Sequence, residues 1–200
     1  MAGHHLLRRA GDRAPSSRLS NALEFSGETM TGVRIAVTGT PGTGKTTFCS
    51  ASNHPTTTVE EIAATHDCLG DVEDDGAAPI DVDRLANTLV WPEGEIILVD
   101  GHLSHLLPVD AIILIRCHPS VLRKRLSQRE YSESKIEENV ECELIGVISA
   151  ECLEQPCLEL DSAIGIEAMI ASAEHWMTDG FKPLRPNEGI DWIGQIHGDD

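Results

Sequence analysis

The sequence predicts an α/β domain built on a parallel sheet with helices covering both faces. Three observations point there. Two runs, Ile96-Ile97-Leu98-Val99 and Ala111-Ile112-Ile113-Leu114-Ile115, are aliphatic without alternation, as suits strands buried on both sides. Segments with helical spacing of apolar residues separate the apolar runs, and no strong hairpin signal appears. Two hundred residues are enough for one domain with a sizeable core.

Residues 1–29 differ in character from the rest of the chain. They hold Arg8, Arg9, Arg13 and Arg18, lack hydrophobic periodicity, and are interrupted by Pro15-Ser16-Ser17. No apolar core of a signal peptide is present. Met30 stands a few residues before the first expected strand, so 1–29 reads as an over-extended start or a disordered arm. The folded domain is expected over 30–180, with a tail over 181–200.

The most informative stretch is Arg34-Ile35-Ala36-Val37-Thr38-Gly39-Thr40-Pro41-Gly42-Thr43-Gly44-Lys45-Thr46-Thr47. A short buried strand runs into a glycine loop that opens a helix, and the loop fits G-x-x-x-x-G-K-[ST], the phosphate-binding P-loop. Gly39, Gly42 and Gly44 allow backbone angles and close approaches that a Cβ forbids. Backbone N–H groups and the positive end of the next helix can then surround nucleotide phosphates. Lys45 reaches the β- and γ-phosphates, and the Thr46 hydroxyl suits a Mg²⁺ coordination position. Such a loop predicts a nucleoside triphosphate ligand.

After the loop, Thr46 to Ala51 reads as a short helix ended by Asn53-His54-Pro55, and Val59 to Thr65 as another. Asp67 to Gly76 is acidic and rich in breakers, a solvated loop or a flap over an acceptor site. Asp81 to Val90 places Val82, Leu85, Ala86 and Leu89 on one helical face. Glu95 to Asp100 is a buried strand with a carboxylate at its C-terminal tip, where open α/β sheets bind ligands. Behind a P-loop, that position suits a second Mg²⁺-organising group. His102 is near enough in sequence to orient a water or a phosphoryl group, or is a polar loop residue. With His105 it makes no convincing metal site, because no third ligand stands at suitable spacing.

Ala111 to Arg116 is the next strand. Pro119 starts a helix through Val121, Leu122 and Leu126. Five of the fifteen Lys and Arg residues lie between Arg116 and Arg129. Phosphoryl transfer spreads negative charge over the moving group, and arginines from this stretch, Arg125 and Arg129 foremost, can close on it. Ser132 to Glu137 begins a long helix, with Ser134 and Glu137 spaced as a capping box. Its apolar stripe is Ile136, Val140, Leu144, Val147 and Ile148. Cys157 to Asp161 is a last short strand and Ile166 to Met177 a last amphipathic helix. The end of the chain, from Lys182, says little.

Composition narrows the function further. The net charge of −18 argues against a general nucleic-acid-binding surface and favours basic partners. The six cysteines form no C-x-x-C pair and read as small buried residues of a reducing compartment. No apolar run approaches a membrane span, so the expected location is the cytoplasm. The sequence lacks N-K-x-D, and no D-x-x-G begins at Asp100, which leaves a regulatory GTPase unlike this chain.

Together, Gly39 to Thr47, Val99-Asp100-Gly101-His102, and Leu122 to Tyr131 with Lys135, Glu138-Asn139 and Glu141-Cys142-Glu143 after it resemble one family. It is the archaeal and eukaryotic nuclear adenylate kinase-like NTPases tied to small ribosomal subunit maturation, and the resemblance runs from about Val33 to Met177. It implies an adenylate kinase fold with a short lid at about 129–139 and an acceptor-binding segment at about 58–81. Gly42, Gly44, Lys45, Thr46 and Thr47 would hold ATP phosphates, with Arg129 reaching over from the lid. Asp100 and His102 would carry the Mg²⁺ and water-positioning roles. The resemblance further implies nucleoside monophosphate kinase activity, AMP being the expected acceptor, ATPase activity, and transient binding of a basic small-subunit ribosomal protein. Two departures from the family pattern bear on the acceptor. The run Ile62-Ala63-Ala64-Thr65 has no Arg, Arg84 being the nearest candidate, and Glu130 replaces a lid glycine. An ATP-driven assembly factor with little kinase activity, or a kinase for another small metabolite, therefore stands beside the monophosphate kinase.

Overall fold

The computed structural model describes residues 32–72, 78–92, 94–129, 131–152, 154–187 and 189–197. The segment 1–29, residues 73–76 of the acidic loop, and Glu130 lie outside the described residues.

Among the described residues five strands form one sheet: β1 (Arg34–Thr38), β2 (Thr56–Thr58), β3 (Ile97–Asp100), β4 (Ala111–Arg116) and β5 (Cys157–Asp161). Their spatial order is β2-β3-β1-β4-β5, and every pairing is parallel. The helices are α1 (Lys45–Ala51), α2 (Val59–Thr65), α3 (Val82–Thr88), α4 (Pro119–Leu126), α5 (Glu133–Ile145), α6 (Val147–Glu151), α7 (Ile166–Thr178) and α8 (Trp192–His197).

The unalternating aliphatic strands are explained by what covers them. Ile35, Val37, Ile113 and Ile115 pack under Phe48 of α1 and Met169, Ala173 and Trp176 of α7. On the opposite face Ala36, Ile112 and Leu114 meet Cys152 and Ile148, while Val99 packs with Val59, Ile62 and Leu85 from α2 and α3. Leu122 and Leu126 of α4 join Ile136 and Val140 of α5 in a cluster of their own. Burying each such side chain stabilises the fold by about 1.5–3 kcal/mol before conformational entropy is counted.

The apolar pattern gives no sign of β2. Its three threonines carry no hydrophobic signal because, among the described residues, it is an edge strand paired with β3 alone. It leads straight into α2, where the Thr58 hydroxyl accepts from the Glu61 N–H at 3.1 Å and the Glu61 carboxylate accepts from the Thr58 N–H at 2.9 Å. That reciprocal pair fixes where the helix begins.

The start of α5 corrects the expected cap. Ser132, not Ser134, is the N-cap, and its hydroxyl accepts from the Lys135 N–H at 3.3 Å. Glu137 is drawn away to Arg123, 2.7 Å from the guanidinium. The stripe projected through Val147 and Ile148 also breaks, because the chain turns at Gly146 with φ +69° and begins α6. The segment after Phe181 packs back on the sheet. Leu184 O accepts from the Cys157 N–H at 2.8 Å, Asn187 donates to Glu159 O at 2.6 Å, and Phe181 and Trp192 are buried.

His105 is a packing residue. It is buried, with its ring nitrogens 2.9 Å from the Thr38 hydroxyl and 2.9 Å from Glu151. Among the described residues no helix is long and apolar enough to cross a membrane.

Candidate active site

The register of the sheet assembles the site. β1 and β3 run parallel with Val37 opposite Asp100, so the glycine loop and the Asp100 carboxylate leave the same edge of the sheet side by side. The loop is tightly seated there. A Cβ on Gly39 would lie 2.2 Å from Ile115 O, and its φ is +139°. Gly44 has open space around it, but its φ of +115° is one that only glycine adopts without strain.

Thr46 and Asp100 meet directly. The hydroxyl donates to Asp100 Oδ2 at 2.7 Å, and Asp100 is buried. These are two hard oxygen donors in one place, which suits Mg²⁺, an ion that takes few protein ligands and completes its shell with phosphate and water. Lys45 folds over the loop and donates to Gly39 O at 2.8 Å and Thr40 O at 3.1 Å. Burial pulls its ammonium down to about 8, against the attraction of Asp100 and with a further push from Arg129. Cys49, one turn along α1, is driven the other way, up to about 12, by burial and by the Asp100 charge.

A cleft of about 1250 Å³ opens over these groups, larger than the 300–1,000 Å³ of an ordinary single-ligand pocket. Arg125 and Ser162 line it on the β4–β5 side, Thr58, Glu60 and His102 on the β2–β3 side, and Lys135, Glu138, Asn139 and Cys142 of α5 across the top. His102 lies at the solvent-open mouth. The cleft walls and the neighbouring Lys45 charge hold its imidazole below the usual range, so it is neutral near pH 7 and has a lone pair to offer.

The basic stretch divides by role. Arg116 is buried in ion pairs with Glu143, at 2.7 Å, and Glu159. Arg123 braces α4 against α5 through Glu133 and Glu137. Lys124 is exposed. Only Arg125 and Arg129, among these five, line the cleft. Arg125 donates to Gly42 O at 3.3 Å, Thr43 O at 3.1 Å and Ser162 Oγ at 3.4 Å, which clamps the glycine loop to the turn after β5. Arg129 stacks over Tyr131, its guanidinium 5.9 Å from the ring centre, and the Lys135 ammonium lies 4.9 Å from the same ring.

Comparison with known proteins agrees with this geometry. A family model described as "AAA domain" matches residues 35–146. A protein of Archaeoglobus fulgidus named "Putative adenylate kinase" is 40% identical over 171 residues, covering 81% of this chain and 93% of its own. Proteins of the same name from Thermococcus onnurineus and Pyrococcus abyssi are 40% and 38% identical, covering 64% and 60% of this chain and 74% and 69% of theirs. This chain belongs to the adenylate kinase-like P-loop family. Among solved structures, a shikimate kinase from Bacteroides thetaiotaomicron is similar at a TM-score of 0.48 and 16% identity, covering 73% of this chain and 98% of that one.

Within this member of the adenylate kinase-like family, the far side of the cleft is unlike its near side. Glu60 lines the β2–β3 side, and Arg84, the nearest basic residue in sequence to the expected acceptor site, is exposed and does not line the cleft. Sequence reasoning does not single out Thr58, Glu60 or Ser162. Thr58 and Glu60 sit where an edge strand without apolar signal becomes a helix. Ser162 has no signal beyond its place just past a strand tip.

Proposed function

We propose that the chain transfers the γ-phosphoryl group of Mg²⁺·ATP to a nucleoside monophosphate, with AMP the acceptor that the relatives' name favours, and that it hydrolyses ATP as a second activity. The observation that carries this reading is the convergence of Lys45, Thr46 and Asp100 at the floor of one cleft that is large enough for two substrates. The N–H groups of Gly39, Gly42, Gly44 and Thr47 with Lys45 grip the phosphates, and Thr46 and Asp100 hold the metal, whose charge offsets that of the phosphates. Arg129, at the base of a lid over about 129–139, leaves Tyr131 to close on the transferred group, and Arg125 keeps the loop in shape beneath it. His102, neutral and facing the cleft, orients the acceptor or a water. The acceptor enters over the segment at about 58–81.

The test is ADP production from Mg²⁺·ATP with and without AMP, CMP, GMP or UMP. Strong stimulation by one monophosphate identifies the acceptor. A rate indifferent to all four removes the monophosphate kinase reading.

A specific observation favours a second reading. The β2–β3 wall of the cleft carries Glu60, and Arg84 stands outside the cleft, so among the described residues no cation on that wall faces an incoming monophosphate. Slow hydrolysis then drives an assembly switch in small ribosomal subunit maturation, and the acidic chain (net charge −18) transiently binds a basic small-subunit ribosomal protein. Capture experiments from host lysate in ATP and ADP test it. Retention of no ribosomal protein in either nucleotide ends the assembly role.

A further inference from the structure

Glu143 is a carboxylate on the apolar face of α5, and the groups that bind it come from widely separated parts of the chain. Oε2 accepts from the Thr40 hydroxyl at 2.6 Å. Oε1 accepts from Arg116 Nε at 2.7 Å, the Cys117 N–H at 3.0 Å and Trp192 Nε1 at 3.1 Å. Glu143 and Trp192 are each 2% exposed, and Thr40 3%. A buried carboxylate persists only when its lone pairs are filled. Here one guanidinium serves two buried carboxylates, because Arg116 also pairs with Glu159, so the neutral donors Thr40 and Trp192 complete the solvation that water cannot supply.

Thr40 is the second residue of the phosphate loop. Its hydroxyl is spent on Glu143, and its carbonyl is one of the two acceptors on which Lys45 rests. The far end of the chain of contacts is the C-terminal segment, anchored on the sheet by Leu184 and Asn187 and capped by the indole that begins α8. We infer that Glu143 is a positioning residue for the nucleotide site, and that the C-terminal segment acts on that site through Trp192, Glu143 and Thr40 in turn. The inference rests on the reading of the glycine loop as the triphosphate site. A loop held in its binding shape before the nucleotide arrives has less ordering to do on binding. Loss of the link therefore weakens ATP binding and leaves the chemical step alone, the signature of uniform binding.

The experiment uses the full chain and compares wild type, Trp192→Phe, Thr40→Val and the double variant. Calorimetric Kd for Mg²⁺·ATP is measured together with kcat for ADP formation and the melting temperature. Trp192→Phe keeps an aromatic ring and removes the N–H donor, so it avoids stranding Arg116 as a change at Glu143 would. Its Kd is expected to rise about 3- to 10-fold with kcat within about twofold of wild type, and the Kd of Thr40→Val, a change inside the phosphate loop, about 10-fold. Because both act through one carboxylate, the double variant is expected to bind as Thr40→Val does, not with the product of the two losses. A Trp192→Phe protein that melts lower but binds ATP with unchanged Kd overturns the inference and leaves the nucleotide site standing, as do multiplying losses in the double variant. Wild type that fails to bind ATP overturns the nucleotide reading itself.

Discussion

Lys45 carries its charge under burial, and that sets a pH limit on the empty site. With its ammonium pulled down to about 8 from an ordinary 10.5, the free enzyme loses the charge as pH rises through that value. Bound triphosphate adds negative charge beside the amine and restores it. The pH profile of kcat/KM for ATP reports the free enzyme, so it is expected to fall above about pH 8 while kcat stays level. A kcat/KM flat to about pH 9.5 contradicts this, and Lys45→Ala is expected to cost at least about 100-fold in turnover at any pH. His102 behaves oppositely in kind, since its depressed pKa keeps it a neutral acceptor of hydrogen bonds. His102→Ala is expected to lower ATP hydrolysis more than transfer to AMP, because a bound acceptor is positioned by more contacts than a water is. Equal losses in the two assays remove the water-positioning role.

At the scale of elements, hydrophobic pattern is a good guide wherever burial is one-sided or total. The runs 111–116 and 157–161 and the helix 59–65 fall where the pattern puts them, because every position of β4 is buried and α2 shows the core a clean face. The pattern fails where polar chemistry decides. β2 is three threonines, legible only through its partner β3. The interior place of Glu143 interrupts a stripe that otherwise continues from Val140 to Leu144, and a lone carboxylate there gives no hint that it joins the loop to the C-terminal segment. The phosphate loop is readable because spacing alone carries its chemistry, while Asp100 and the two cleft arginines are read from a strand tip behind that loop and from a concentration of basic residues. The β2–β3 wall of the cleft is not, because it comes from segments distant in sequence. The cap of α5 offers a direct test of which local signal governs. Ser132→Ala is expected to destabilise the protein by about 1 kcal/mol in urea unfolding, and Ser134→Ala to change it by less than about 0.5 kcal/mol. The reverse order would restore the cap expected from the spacing of Ser134 and Glu137.

At the scale of the whole molecule, 33 acidic residues face 15 basic ones. Among the described residues Glu143 and Glu159 share Arg116, and Glu133 and Glu137 share Arg123, and the excess of acids over bases gives a net repulsion across the surface. Self-repulsion of that kind weakens the compact state and is screened by salt. The melting temperature is therefore expected to rise by several degrees between about 0.02 and 0.5 M NaCl, where the Debye length shrinks from roughly 20 Å to a few ångströms. On the proposed basic partner the same salt would act in the opposite sense, screening its attraction to this surface together with the repulsion. Scanning calorimetry and partner capture across one salt series thus separate two sources of any change. If capture weakens while the protein itself becomes more stable, the attraction is electrostatic and belongs to the surface. If both decline together, the partner was holding a fold that salt had loosened, and the net charge is not what draws the partner in.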